Sequence, residues 1–223
     1  MFVRDFMTAD PLSINPKTTY PEAIGLMREK NIRRLPVVNK GKLVGIVVEK
    51  DLLSSQPSPA TTLSIHEMYG LLEKLKVEQF MTSPVVTATP NCPMEAAAGI
   101  MIDRKIGSLP VMEDDKLVGI ITETDIFKAF VSVLGGFVEG VRLTIELPDR
   151  PGQLAKIAED IAAANGNILA VTTTNINEDA TSEVTIKETG ADVEALKKRL
   201  AEREISIVDL RSHINYSPSE YGK

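Results

Sequence analysis

The sequence holds little of what catalysis usually needs. It has one cysteine, Cys92, and two histidines, His66 and His213, among 223 residues. A lone cysteine excludes an intrachain disulfide framework. With two histidines it makes no zinc-ligand spacing, so both histidines read as surface or helix residues and no metal site is expected. No Ser/His/Asp order, G-x-S-x-G, P-loop or G-x-G-x-x-G occurs. The chain therefore reads as a non-enzyme without a cofactor. No apolar run approaches the ~18 residues that cross a bilayer, and the opening MFVRDFMTAD lacks the charged, apolar, small-residue order of a secretory leader. These absences favour the cytoplasm and argue against a membrane partner. Basic excess is missing too: the net charge is −6 and the pI about 5.1. A nucleic-acid binder normally carries a basic stripe, so that class of partner is not expected.

What the sequence does have is a repeat. A shift of 74 residues lays 3–53 on 77–127 without a gap. Phe6-Met7-Thr8 falls on Phe80-Met81-Thr82, Pro16 on Pro90, and Ala23, Gly25 and Met27 on Ala97, Gly99 and Met101. Leu35-Pro36-Val37 falls on Leu109-Pro110-Val111, Lys42 to Ile46 on Lys116 to Ile120, and Asp51 on Asp125. Each copy reads as a short strand (LSINP or VVTATP), a helix with apolar spacing, and two strands around a polar turn (NKGK or EDDK). A new helix then opens at Asp51 or Asp125, where an Asp suits the cap or first turn.

This β-α-β-β-α unit, present twice, resembles the CBS domain in FMT, LPVV or LPVM, and LVGIITETD. Such pairs pack as one module with clefts between the sheets. The linker 55–76 starts as a Ser/Pro/Thr loop. Ser64 then reads as an N-cap with Glu67 three residues on, and Ile65, Met68, Leu71, Leu72 and Leu75 form an apolar helical face. That helix either packs on the module or binds a partner. From Val138 the order is strand, helix, strand, strand, helix, strand, the ferredoxin-like βαββαβ arrangement. Its LPDRPGQLAKIA followed by NGNI resembles the ACT domain, a small regulatory module that often senses amino acids. The expected fold is α+β: CBS repeat 1 over 1–54, CBS repeat 2 over 77–133, an ACT domain over 138–213 and a flexible tail over 214–223. The order CBS, CBS, ACT resembles the AcuB-like proteins, named for acetoin utilisation.

Thr122 and Asp125 stand three apart at a strand-to-helix turn, where both side chains can face one cleft. A carboxylate can accept from both hydroxyls of a ribose, and a hydroxyl or a backbone N–H at a helix start can donate to phosphate. The CBS resemblance implies an adenosine nucleotide such as AMP or ATP as regulatory ligand. It assigns Asp125 to ribose, Thr122 to ribose or phosphate, Thr89 to a further contact, and Ile120 and Pro110 to the adenine wall. CBS sites also draw phosphate-binding cations from the entry to the LPVV strand. The first copy has Arg33 and Arg34 there, and the second has Gly107 and Ser108. Arg34 is read as a clamp supplied across the pair, with Ser108 at the equivalent place, although two arginines also suit a solvated strand entry.

The first copy has Asp51 but Val48 in place of the Thr, and Asn15 in place of Thr89. A lost hydrogen bond to a charged group would weaken that second site by roughly 10- to 150-fold. The alternative for Thr122 and Asp125 is that one ends a strand and the other caps a helix. In the ACT domain, the resemblance implies effector contacts at Asp149, Gly152, Gln153 and Asn167. Leu147 stands where serine-type ligands often meet a polar residue. A turn serving only dimerisation is the alternative. The whole reads as a non-catalytic sensor, a homodimer by its self-pairing modules, that modulates a partner enzyme and takes a small amino acid as a second ligand. The rival classes are an assembly module with empty clefts and an accessory subunit of an acetoin enzyme.

Overall fold

A computed structural model describes residues 1–54, 70, 72–175 and 181–212. The chain divides into two compact units, Met1–Ile126 and Phe127–Lys223. No helix among the described residues is long and apolar enough to cross a membrane.

The first unit contains the repeat. β1 is Thr8–Ala9, α1 Tyr20–Glu29, β2 Arg34–Asn39, β3 Lys42–Val48 and α2 Glu49–Ser54. The second copy supplies α3 (Met94–Arg104), β4 (Ser108–Glu113), β5 (Lys116–Thr122) and α4 (Glu123–Val133). α1 starts where a capping box closes: Thr19 Oγ1 accepts from Glu22 N and the Glu22 carboxylate accepts from Thr19 N. Those bonds hold the Glu22 carboxyl below its usual range. Ala23, Ile24 and Met27 form the buried stripe of α1, as Met94, Ala97 and Met101 do for α3. Each hairpin turns through two left-handed residues, Lys40-Gly41 and Asp114-Asp115, which matches the twist of the flanking strands. Each is bulged at the same place, Val37/Val38 and Val111/Met112.

The two copies are interlocked. β1 stands near the start of the first copy but pairs with β5 of the second, Thr8 opposite Ile120. Thr82, near the start of the second copy, bridges Ile46 of the first. Met7 thereby lies on Gly119, and Met81 on Gly45. A Cβ on Gly45 would stand 2.5 Å from Met81 Sδ, and one on Gly119 would overlap Met7 Sδ. The recurrence of FMT and LVGI thus has a mechanical cause: the Met of one motif seats on the Gly of the other.

Two expectations are corrected. LSINP and VVTATP form single bridges, Ile14 to Val37 and Ala88 to Val111, rather than strands. Asn15 ends the first as a local turn, its Oδ1 accepting from Lys17 N at 2.7 Å. The helices after each hairpin open at Glu49 and Glu123, two residues before the aspartates. Of the linker helix, Leu72 is buried and Leu75 half-buried in the first-copy core. Ser64, Ile65, Glu67, Met68 and Leu71, like both histidines and the 214–223 tail, lie outside the described residues.

The second unit has the expected βαββαβ order: β6 (Val141–Pro148), α5 (Gln153–Ala163), β7 (Asn167–Asn175), β8 (Thr181–Thr189), α6 (Val193–Glu202) and β9 (Ser206–Arg211). Its antiparallel sheet runs β7-β8-β6-β9. Leu143, Ile145, Leu147, Val184 and Ile186 pack on Ile157, Ile161, Leu196 and Leu200. Buried Asp160 of α5 pairs with Arg203 Nε at 2.5 Å and Arg199 Nη1 at 3.6 Å, tying the two helices together and raising the Arg203 pKa. Lys187 is buried and donates to Gly135 O at 2.7 Å; loss of hydration lowers its pKa.

Two outcomes follow from this packing. Gly119→Ala costs about 1–3 kcal/mol of stability by overpacking, read from urea midpoints, and the cost shrinks in the Met7→Ala background. For Lys187, the folded chain releases the proton more readily than the unfolded one. Stability gained from that site rises with pH between the depressed folded value and 10.5, the ordinary value. Lys187→Met removes that part of the pH dependence of thermal unfolding.

Candidate functional site

Antiparallel register builds the second-copy site. Ser108 lies opposite Thr122, and Pro110 opposite Ile120. Side chains two apart on a strand share a face, so these four line one face of the hairpin. Leu109 and Ile121 fill the core on the other, both at 0% exposure. Thr89 is exposed beside this face, because Ala88 N donates to Pro110 O at 3.0 Å. Ser108, Pro110, Ile120, Thr122 and Asp125 are therefore brought together, with Thr89 at the rim.

Thr122 and Asp125 bind each other. Thr122 Oγ1 donates to Asp125 Oδ2 at 2.7 Å, Thr122 N donates to the same oxygen at 2.9 Å, and Asp125 N approaches Thr122 Oγ1 at 3.4 Å. This is a capping box, and it explains why α4 opens at Glu123. The Thr-x-x-Asp pattern is thus a helix cap and, at the same time, a preset pair of oxygens at a strand-to-helix turn. Val48 has no hydroxyl with which to close the same ring on Asp51.

The first copy repeats the frame with different chemistry. Arg34 lies opposite Val48, and Pro36 opposite Ile46. Arg34 reaches across the repeat boundary: its Nη2 stands 3.7 Å from Glu123 Oε2. Both side chains occupy the space over Gly107, where a Cβ would overlap Arg34 Nη2 and lie 2.8 Å from Glu123 Oε2. A first-copy cation therefore sits at the turn that carries Thr122 and Asp125. On the first copy itself, Arg33, Arg34, Val48, Glu49, Lys50, Leu53 and Ser54 line a cleft of about 510 Å³. Asn15 and Asp51 are not among its lining residues. Lys50 and Glu123 were given no role in the sequence reading, although the Glu recurs in both copies as Glu49 and Glu123.

In the second unit a cleft of about 340 Å³ is lined by Leu147 to Leu154 with Thr173, Ser182 and Val184. Asp149, Gly152 and Gln153 lie in it. Gly152 takes φ +87° as α5 begins, a conformation glycine adopts without steric cost. Asn167 does not join them. It pairs with Thr189, whereas the cleft-lining Thr173 pairs with Val184, about 20 Å farther along the strand at ~3.3 Å per residue. Among the described residues no group of three or more His, Cys, Asp or Glu side chains could hold a metal ion.

Known families match both parts of the chain. The CBS domain model matches residues 3–58 and 77–132, and the TTHA0829-like ACT domain model matches 139–211. Protein MJ1426 of Methanocaldococcus jannaschii is 32% identical over 155 residues, covering 59% of this chain and 92% of that protein. MJ1225 of the same organism is 31% identical over 134 residues, which is 57% of this chain; the chain spans only 46% of its length. The crystal structure of a candidate acetoin utilization protein (AcuB) from Vibrio cholerae superposes with a TM-score of 0.51 at 32% identity, covering 60% of this chain and 93% of that one.

The cap has its own consequence. In ligand-free protein, Thr122→Val lowers stability by about 0.5–2 kcal/mol, and Val48→Thr raises it by a similar amount by closing the ring with Asp51. Thermal unfolding of the two variants measures both. Unchanged midpoints would contradict the capping role.

Proposed function

The chain belongs to the CBS-domain family and carries a C-terminal TTHA0829-like ACT domain, and from that premise we propose that it is a non-catalytic sensor of an adenosine nucleotide. The observation that carries the reading is the meeting of Arg34 from one repeat with the Thr122–Asp125 turn of the other. The ribose hydroxyls lie on Asp125, with Thr122 beside them. The adenine lies against Ile120 and Pro110, with Ser108 and Thr89 at its rim, and the phosphate points to Arg34. The first-copy cleft, with Arg33 and Lys50 but Val48, is the weaker second site, to which this reading adds Asp51 and Asn15.

Regulation requires the nucleotide to favour one arrangement of the protein over another. In this reading the chain works in the cytoplasm as a homodimer, the ACT cleft at Asp149, Gly152 and Gln153 takes a small amino acid, and an unidentified partner enzyme reads the state. Asn167 serves that ligand only if it comes from the partner protomer of the dimer. Resemblance to the Vibrio cholerae protein suggests acetoin or acetate-type carbon metabolism as the setting. The second reading is an assembly module with no functional ligand. It is favoured by the mutual bonding of Thr122 and Asp125, which gives both residues a purely structural use.

Calorimetric titration of the full chain with AMP and ATP separates the two. The sensor reading expects saturable binding of at least one, weakened by Asp125→Ala, and weakened about 10- to 150-fold by Arg34→Met through loss of a charge-assisted bond. No binding of either nucleotide to the parent chain leaves the assembly reading.

A further inference from the structure

Arg34 already has an anionic partner. Its side chain is 22% exposed, and it faces the Glu123 carboxylate, itself 59% exposed, at 3.7 Å. Gly107 leaves the space both groups occupy. Glu123 is also the first residue of α4, next to Thr122. A phosphate that approaches Arg34 from the Thr122–Asp125 turn meets a carboxylate that holds the same cation and repels the incoming charge.

We propose that Glu123 is a resident competitor for the ligand's phosphate: it holds Arg34 while the phosphate is absent and yields it when the phosphate arrives. This rests on the nucleotide reading above. Glu123 then sets how strongly the site favours phosphorylated ligands over the bare nucleoside. The device is one-sided. The position equivalent to Arg34 in the second copy is Ser108, too short to reach across, and the position equivalent to Gly107 in the first copy is Arg33. Exchange of partners also frees the first turn of α4 from its tie to the first repeat, so arrival of a phosphate is coupled to a change at the start of that helix.

The magnitude is modest, because a largely exposed ion pair contributes little. Removing the competitor is expected to tighten a phosphorylated ligand by about two- to five-fold at low salt, with the gain shrinking as salt screens the charges. The experiment is calorimetric titration of the full chain with AMP and, separately, with adenosine, on the parent, Glu123→Gln, Arg34→Met and the double variant. The expected result is tighter AMP binding by Glu123→Gln, unchanged adenosine binding, and loss of the AMP gain in the Arg34→Met background. Equal effects on AMP and adenosine, or a gain that persists in full without Arg34, would overturn the competitor role while leaving the nucleotide site intact. If the parent binds neither AMP nor adenosine, the nucleotide reading fails and this inference falls with it.

Discussion

Neither sheet of the repeat pair is complete within its own copy. The opening segment of the first repeat adds a strand to the second, and the opening segment of the second bridges to the first. The exchange is locked where Met7 and Met81 seat on Gly119 and Gly45, glycines whose missing Cβ atoms make the room. The interlock holds the start of one hairpin beside the strand-to-helix turn of the other. Arg34 reaches Glu123 and Gly107 on that account, so a composite site needs no residue outside the first unit.

Duplication followed by divergence explains why the two turns differ. The backbone frame is shared to the level of the bulge and the turn conformation. Upon it, the second copy has Thr122 and Gly107 where the first has Val48 and Arg33. Thr122 both caps α4 and presents a hydroxyl. Gly107 opens the space that Arg34 enters. The first copy lacks that hydroxyl and supplies cations. In the nucleotide reading, binding and stability draw on the same side chains at the second turn, and a loss of ligand affinity in a Thr122 variant must be weighed against the loss of the cap.

Much of this was legible in the sequence because it is local or periodic. The apolar stripes of α1 and α3, the hairpin turns and the alternation of Ser182, Val184 and Ile186 all report burial directly. The shared face of Ser108, Pro110, Ile120 and Thr122 follows from strand period and register. What escaped depends on long-range pairing or on one side chain's reach. The strand exchange has no local signature. The contact of Arg34 with Glu123 joins residues far apart in sequence, and the recurrence of the Glu in both copies was its only trace. The helix starts were misplaced by two residues because the aspartates stand inside the first turn, and Asp125 bonds back to Thr122 instead of standing at the cap itself. Asn167 was grouped with the Asp149 loop, although the register carries it to the far end of its strand.

The central claim is that one nucleotide is held jointly by the Thr122–Asp125 turn of the second repeat and by Arg34 of the first. A crystal structure of the full chain grown with AMP tests it most directly. The account predicts ribose hydroxyls on the Asp125 carboxylate, the phosphate within hydrogen-bond distance of Arg34, and Glu123 turned away from that guanidinium. AMP bound elsewhere, with Arg34 still paired to Glu123 and Asp125 bonded only to Thr122, would contradict it.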